Sequence, residues 1–304
     1  MRVASLDLGT NTLLLTIVDL DQSSLKLLYE EAVIVRLGQD LENGGLLHSD
    51  AKKRCLRALE NTLTIINSYD VTEIVAVGTA ALRKASDGDQ FVSEISERYN
   101  IAFEIISGRD EARLTFKSTQ IEFSEAENEL LMFDIGGGST EIVTGDLSVI
   151  SSMTSLPIGT VDLTEQFVSH DPMIVSELTT IQDRIADALN EISLHERAFE
   201  GVGVAGTITT LKAISLRMSD YNHALIHKSV LMRDEIDKLA HRLTSMTLKE
   251  RLRMKGLPER RADIIHVGAV ITQAIVQRFG LSEIHVSDRG LRWGVLYDRM
   301  ETLR

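Results

Sequence analysis

Residues that are scarce in this chain already exclude several classes of protein. Among 304 residues the only cysteine is Cys55, so an intramolecular disulfide and a four-cysteine zinc site are both impossible. The chain has only 3 prolines and no glycine-rich or serine-rich tract, so extensive disorder is not expected. These absences favour an ordered globular protein of a reducing compartment.

Long apolar runs are missing as well. No apolar segment of signal-peptide length precedes the first glycine, and no run approaches the roughly 18 apolar residues that a membrane span needs. We therefore expect neither export nor a membrane partner, and we expect a cytoplasmic protein.

An excess of positive charge is the third absence. The formal net charge of −13 repels polyanions on average, so we expect no nucleic-acid partner. A polyanionic substrate is compatible with this charge only where basic residues are gathered locally. Solvated helix faces are the alternative explanation for such groups. The candidate groups are Arg83 with Lys84, then Arg109, Arg113 and Lys117, and then Arg251, Arg253, Lys255, Arg260 and Arg261.

Length and hydrophobic patterning predict an α/β protein of two domains. A chain this long exceeds the usual size of one hydrophobic core. Strand-like runs at 3–6, 13–20 and 25–37 open the chain, and strands alternate with helical stretches up to an acidic, apolar-poor segment at 122–129. A second series then begins with a strand at 130–134, and helical periodicity dominates from 161 to 195. We therefore predict domains at 1–121 and 122–304, and the last helix is allowed to pack on the first domain.

Matching motifs stand at the same place in each half. DLGTNT (7–12) and DIGGGST (134–140) both end a first strand with an aspartate and a glycine-rich turn. Glycine lets backbone N–H groups approach phosphate oxygens, although tight turns use glycine for structural reasons as well. We expect the two turns to face each other across a cleft between the domains. The predicted phosphate-binding residues are Gly9, Thr10, Asn11, Thr12, Gly136, Gly137, Gly138 and Ser139.

Acidic residues beside these turns point to a divalent cation. Asp7, Asp134 and Glu141 lie in or next to apolar strands, where a carboxylate needs a metal, a basic partner or a backbone N–H to cap. Mg²⁺ prefers oxygen ligands, and phosphoryl transfer uses it together with backbone donors. The three residues are therefore predicted to hold Mg²⁺, and capping of backbone groups is the structural alternative.

The motifs together resemble those of the exopolyphosphatase and guanosine pentaphosphate phosphohydrolase (Ppx/GppA) family of the actin-like superfamily. Besides the two turns, the resemblance rests on VRLG (35–38), GTAALRKA (78–85), ISGRDEA (106–112), SLPIGTVDL (155–163), GVAGT (203–207), RADIIHVGAVI (261–271) and SDRGLRWGVLYD (287–298). It implies two ribonuclease H-like domains with an active site between them.

Residue roles follow from the same resemblance. Glu111 matches the family's catalytic glutamate, which orients and deprotonates water, although alone it is typical of an acidic residue in a first helical turn. Arg83 matches an arginine facing the phosphate chain, and Arg260 and Arg261 lie in a matching segment that steers polyanion or forms exposed salt bridges. His223 and His227 have an i, i+4 spacing, but without a third ligand they are typical of a helix surface pair.

Departures from the family pattern limit what the resemblance implies. Asp162 replaces an arginine common in relatives, and Trp293 replaces an acidic residue. The sequence ends at 304, so it resembles a short form without the C-terminal helical module of longer relatives.

Several functions remain open at this point. The leading expectation is an exopolyphosphatase that releases terminal phosphate from inorganic polyphosphate with Mg²⁺. The alternatives are a guanosine pentaphosphate 5′-phosphohydrolase, an ATP-dependent kinase or ATPase, and a polyphosphate-binding regulator without turnover. A homodimer is compatible with each of them.

Overall fold

The structure is a computed structural model that describes residues 1–22, 24–41, 44–192 and 198–303. Its strands are β1 (Arg2–Leu8), β2 (Thr12–Leu20), β3 (Leu25–Ile34), β4 (Glu73–Gly78), β5 (Phe103–Ile105), β6 (Glu129–Ile135), β7 (Thr140–Gly145), β8 (Ile150–Leu156), β9 (Phe199–Val204), β10 (Val230–Met232) and β11 (Glu283–Val286). Its helices are α1 (Ser49–Ser68), α2 (Ala80–Lys84), α3 (Gly88–Tyr99), α4 (Gly108–Glu122), α5 (Thr160–Phe167), α6 (Val175–Asn190), α7 (Ala205–Ser215), α8 (His223–Ile226), α9 (Arg233–Ser245), α10 (Leu248–Arg251), α11 (Ile265–Arg278) and α12 (Leu291–Glu301).

The chain divides into two compact units. The first consists of Met1–Ser118 and Leu291–Arg304, and the second of Thr119–Gly290. The first division lies within α4, a few residues before the boundary predicted between 121 and 122. The C-terminal helix α12 belongs to the first unit because its apolar side chains, including Trp293 and Leu296, pack with Val3 and Val18 of β1 and β2.

The sheet of the first unit has the order β3-β2-β1-β4-β5, in which the first three strands are antiparallel neighbours and the last three are parallel. Every residue of central β1 from Val3 to Leu8 is buried. Since alternate residues of a strand point to opposite sides, both faces of β1 are covered. Leu6 and Leu8 enter the core with Leu59 of α1. Asp7, between them, therefore lies on the other face.

The sheet of the second unit repeats this arrangement. Its order is β8-β7-β6-β9-β11-β10. The first five of these strands correspond in position and direction to β3, β2, β1, β4 and β5 of the first sheet. Leu131, Phe133 and Ile135 of β6 enter the core with helices that include α6 and α11. Asp134 consequently lies on the opposite face, as Asp7 does in its own unit.

The helical prediction for 161–195 is partly wrong. Helix α5 ends at Phe167 and α6 begins only at Val175. Pro172 lies between them, and proline has no N–H for a continuing helix. The end of the predicted helix, residues 193–195, lies outside the described residues. Of the helices in the described segments, none combines the length and hydrophobicity that a membrane span requires.

Candidate active site

The first glycine turn is a hairpin loop between β1 and β2, and backbone hydrogen bonds from the VRLG segment (35–38) fix its carbonyl groups. The Gly9 N–H donates to the Thr12 carbonyl at 2.9 Å and closes the turn. The Gly38 N–H donates to the Thr10 carbonyl, and the Val35 N–H donates to the Asn11 carbonyl, both at 2.9 Å. In a trans peptide the N–H points away from the C=O, so the N–H of Asn11 points away from the VRLG segment.

Two polar side chains complete this loop. Arg54 of α1 donates through Nε to the Val35 carbonyl at 3.0 Å and through a terminal nitrogen to the Arg36 carbonyl at 3.2 Å. It thereby fixes the turn that supports the loop. The Asn11 side chain is buried, and its Nδ2 has no hydrogen-bond partner among the described residues. A buried donor without a partner is costly, so this amide is suited to an anionic ligand.

The second glycine turn has the same construction. The Gly136 N–H donates to the Ser139 carbonyl at 3.0 Å, as Gly9 does to Thr12. The first residues of α5 support it, since the Thr160 N–H donates to the Gly136 carbonyl at 3.0 Å and the Val161 N–H donates to Gly137 at 2.9 Å. The amides that follow these carbonyls point away from α5. Both loops therefore present backbone donors, the arrangement that binds phosphate oxygens.

Asp134 and Glu141 lie directly opposite each other on β6 and β7. Opposed residues of an antiparallel pair place their side chains on the same face with Cβ atoms about 5 Å apart. Both residues are buried, with 9% and 1% of their surface exposed. Leu14 stands opposite Asp7 in the first unit, so the acidic pair has no counterpart at the equivalent position of β1 and β2.

The acidic pair fits a magnesium ion by its chemistry. Among the described residues, no group of three or more His, Cys, Asp or Glu side chains could hold a metal ion. Mg²⁺ does not need such a group, because it commonly binds one or two carboxylates, several waters and the phosphates of its substrate. Asp134 and Glu141 are hard oxygen donors beside the second loop. The predicted third ligand, Asp7, is equally buried but belongs to the first unit.

Arg83 and Glu111 form the other pair that the structure brings together. A terminal nitrogen of Arg83 donates to Glu111 Oε2 at 2.7 Å and to the Ile106 carbonyl at 3.0 Å. Their side chains are 23% and 12% exposed. Burial raises the pKa of Glu111, although the Arg83 guanidinium acts in the opposite direction. A carboxylate with a raised pKa is a better proton acceptor than an ordinary one.

The sequence around Glu111 explains its position. Ser107 precedes α4, and its hydroxyl accepts the Asp110 N–H at 3.0 Å and donates to the Asp110 carboxylate at 2.6 Å. These bonds fix the first turn in the manner of a helix cap. The Glu111 N–H then donates to the Ser107 carbonyl at 2.9 Å. The capped turn holds Glu111 within reach of Arg83.

The remaining predicted phosphate contacts, Arg260 and Arg261, lie in a short 3₁₀ turn (Glu259–Arg261) of the second unit. Arg260 is exposed. The guanidinium of Arg261 packs against Gly206 at the start of α7, where a Cβ atom would lie 2.1 Å from one of its nitrogens. Burial lowers the pKa of Arg261. The role of either arginine in substrate binding stays a prediction.

His223 and His227 do not form the helix surface pair that their spacing predicts. Nε2 of His227 lies 3.1 Å from Glu122, and Nδ1 lies 3.1 Å from Asp288, which also contacts His223 at 2.8 Å. Burial lowers the pKa of His227, but its bonds to Asp288 and Glu122 outweigh burial and raise it. An imidazole between two carboxylates favours the protonated form, which cannot bind a metal.

The sequence did not indicate several supporting contacts. Ser155 donates to Glu141, and the segments at 35–38 and 159–161 hold the loops. Trp293 is a core residue whose Nε1 donates to Glu30 at 2.9 Å, and the Asp162 N–H donates to the Gly137 carbonyl at 3.2 Å. The motifs in the sequence indicated that these segments contribute to the site, but they did not indicate which hydrogen bonds the segments make.

Comparisons with known proteins show which sequences and structures this chain is similar to. The model of the Ppx/GppA phosphatase family matches residues 16–303. Exopolyphosphatase 2 of Mycobacterium tuberculosis is 32% identical, and the alignment covers 97% of each sequence. The crystal structure of the Aquifex aeolicus Ppx/GppA family member aligns with a TM-score of 0.84 and 29% identity, covering 100% of this chain and 99% of that one. The Cytophaga hutchinsonii exopolyphosphatase structure aligns with a TM-score of 0.92 and 28% identity, again covering 100% of this chain and 99% of that one.

The predicted ribonuclease H-like, actin-like fold class is thereby confirmed, and the chain belongs to the Ppx/GppA phosphatase family.

Proposed function

We propose that this chain is an exopolyphosphatase, which releases terminal phosphate from inorganic polyphosphate by direct attack of water. The observation that carries the proposal is the in-register pair of buried acids, Asp134 and Glu141, beside the glycine-rich loop of residues 136–139. The similar protein of Mycobacterium tuberculosis is named an exopolyphosphatase, which supports polyphosphate as the substrate.

Asp134 and Glu141 are the residues that would hold Mg²⁺. A bound magnesium ion supplies charge neutralisation to the phosphoryl oxygens. The protein contributes two carboxylates on one sheet face and keeps them beside the loop of residues 136–139. A cation at this place would stabilise the ionised forms of the two buried acids.

Glu111 acts as the general base in this proposal. Its carboxylate accepts a proton from water, the water oxygen forms a new bond to the terminal phosphorus, and the anhydride bond to the next phosphate breaks. The bridging oxygen leaves with the shortened chain, and orthophosphate is released. Arg83 is bound to Glu111 and orients it. Its positive charge also offsets negative charge on the transferred group.

The two loops bind the phosphate oxygens. Their carbonyls are held by neighbouring segments, so the backbone donors keep their direction without reorganisation when the substrate arrives. The buried amide of Asn11 adds a side-chain donor in the first loop. Such preorganised donors are worth more in a site that excludes water than in solvent.

Phosphate release from several substrates tests the proposal. Polyphosphates of defined length, guanosine pentaphosphate and ATP are each incubated with the protein, with magnesium and with a chelator. We expect magnesium-dependent orthophosphate release from polyphosphate, at a kcat/KM above that for the two nucleotides. A matched Asp134→Asn variant should need more magnesium for half-maximal activity, because an amide oxygen is a poorer ligand for a hard cation.

Two results would contradict the proposal. A higher kcat/KM for guanosine pentaphosphate would make the chain a nucleotide phosphohydrolase that uses the same acids. Binding of polyphosphate without phosphate release would instead favour a regulator.

A further inference from the structure

We propose that Ser155 is a positioning residue for Glu141, fixing the carboxylate in the orientation that receives a divalent cation. The inference rests on the proposed function, since it concerns the acid pair assigned to magnesium. It adds a residue of β8 to a site otherwise built from β6, β7 and the loop between them.

The register of three adjacent strands carries the first step. Asp134 of β6 pairs with Glu141 of β7, and Glu141 pairs with Ser155 of β8. Residues directly opposite one another place their side chains on the same face of a sheet. Leu156, next to Ser155, enters the core of the unit, so Ser155 lies on the opposite face with the two acids.

The hydrogen bond is the second step. The Ser155 hydroxyl lies 2.7 Å from Glu141 Oε1. An ionised carboxylate only accepts hydrogen bonds, so the hydroxyl is the donor. Glu141 is 1% exposed, whereas Ser155 is exposed. The exposed serine of β8 therefore fixes the buried carboxylate of its neighbour on β7.

The geometry of the ion makes this orientation matter. Mg²⁺ demands nearly ideal octahedral geometry, so a carboxylate that rotates away from its position binds it less well. Groups that orient metal ligands typically change metal affinity or activity by roughly 10- to 100-fold. We expect an effect in this range for Ser155.

Direct metal binding tests the inference without relying on turnover. Mg²⁺ is titrated calorimetrically into the wild-type protein and into the Ser155→Ala, Ser155→Thr and Ser152→Ala variants, and the melting temperature of each is measured. Ser152 of β8 pairs with Thr144 and lies on the opposite face from Ser155, so Ser152→Ala is the matched control. Ser155→Thr keeps a hydroxyl donor at the same position.

We expect Ser155→Ala to weaken Mg²⁺ binding by about tenfold or more. The Thr variant and the Ser152 control should bind within a few-fold of wild type, and all should melt close to it. Equal affinities in the Ser155→Ala and wild-type proteins would overturn the inference, and so would a wild-type protein that binds no Mg²⁺. A third outcome is that Ser155→Ala binds Mg²⁺ more weakly but the wild-type protein releases no phosphate from polyphosphate. That outcome would reject the proposed function and leave the inference about Ser155 standing.

Discussion

At the scale of single residues, Arg83 has two opposing effects on the proposed base. It orients Glu111 through a 2.7 Å hydrogen bond, and it lowers a pKa that burial raises. The base must be ionised to accept a proton, so activity falls as the pH drops below the pKa of Glu111. The wild-type acid limb should therefore lie above the ordinary value of 4.5.

Arg83→Met should move that limb to still higher pH, besides lowering kcat, because the cation that opposes the effect of burial is removed. The measurement is kcat/KM against pH. Arg98→Met is the matched control, since it removes an arginine–carboxylate pair with Glu60 on the surface of the same unit. An acid limb at the same pH in Arg83→Met and wild type would show that Arg83 does not tune the base.

His266 of α11 makes a second prediction about pH, this time for stability. It is 1% exposed, and neither ring nitrogen has a hydrogen-bond partner among the described residues. Burial, with a smaller contribution from Arg251, lowers its pKa to about 3 from an ordinary value of 6.5. Below pH 6.5 His266 therefore binds a proton in the unfolded state but stays neutral in the folded state. The free energy of unfolding consequently falls as the pH falls.

His266→Gln should remove this dependence. From about pH 7.5 to about pH 5.5, the wild-type protein should lose about 1.4 kcal/mol of unfolding free energy through this residue, and the variant should lose correspondingly less. Urea unfolding at the two pH values provides the measurement. Equal losses in both proteins would mean that His266 is protonated in the folded state.

Residue roles were accessible from sequence to different degrees. Glu111 and Arg83 were predicted to be catalytic through motif resemblance; the structure places them in contact, and their roles stay a prediction. Ser155 was not identified as a partner of Glu141, because a contact across strands depends on register. The register between β7 and β8 shifts between Thr144 and Gly145, and no pattern in the sequence marks that irregularity.

At the scale of elements, each glycine loop depends on a second segment that holds its carbonyls. Gly159 is the tightest contact in the second loop, since a Cβ atom there would lie 2.3 Å from the Gly137 carbonyl oxygen and 2.4 Å from the Gly138 nitrogen. Backbone atoms cannot move aside as a flexible side chain can. A methyl group at this position must therefore displace the loop.

Gly159→Ala should lower kcat/KM on polyphosphate by roughly 10- to 100-fold, the usual cost of misplacing binding groups by about 1 Å. Gly280→Ala is the control. Gly280 has a φ of +65° but open space around it, so alanine there should cost about 1 kcal/mol of stability and leave kinetics unchanged. Steady-state kinetics and melting temperatures separate the two effects. Wild-type kinetics in Gly159→Ala would show that the loop tolerates displacement.

The order of elements was largely predictable, but their ends were not. The repeat of strands, aspartate and glycine turn indicated two similar sheets, because each half of the sequence carries the same pattern. The break between α5 and α6 was missed. Apolar periodicity is present on both sides of the break, but the intervening residues 169–172 are polar or proline, and Pro172 cannot continue a helix.

At the scale of the whole molecule, local patterns allowed the last helix to pack on the first domain but did not decide between the two domains. Helix α12 belongs to the first unit because Trp293 and Leu296 complement the outer face of β1 and β2. Gly294 also allows α12 to approach α4 closely, since a Cβ there would lie 1.9 Å from the Leu114 carbonyl oxygen. Such complementarity between segments remote in sequence requires the structure.

Net charge makes a prediction about the substrate as a whole. A protein of net charge −13 must bind a polyanion through local cations. Each additional cation–phosphate contact is screened by salt and releases counterions, so KM should rise with salt more steeply for long polyphosphate than for short. Arg260→Gln should reduce the slope for the long chain.

Lys53→Gln is the control for that change. It alters the net charge equally, at an exposed lysine of α1 that pairs with Asp50. The measurement is KM for short and long chains across a salt series in the three proteins. Equal salt slopes for both lengths would favour a compact substrate over a long chain.

The central claim is that the whole protein hydrolyses polyphosphate with Glu111 as its base, and Glu111→Gln tests it most directly. Glutamine keeps the size of the side chain and an oxygen that accepts from Arg83, but it cannot take a proton from water. Phosphate release from polyphosphate is measured alongside polyphosphate binding and melting temperature. We predict turnover lower by a factor on the order of 10² or more, with binding and melting temperature close to wild type. Turnover within a few-fold of wild type would contradict the account.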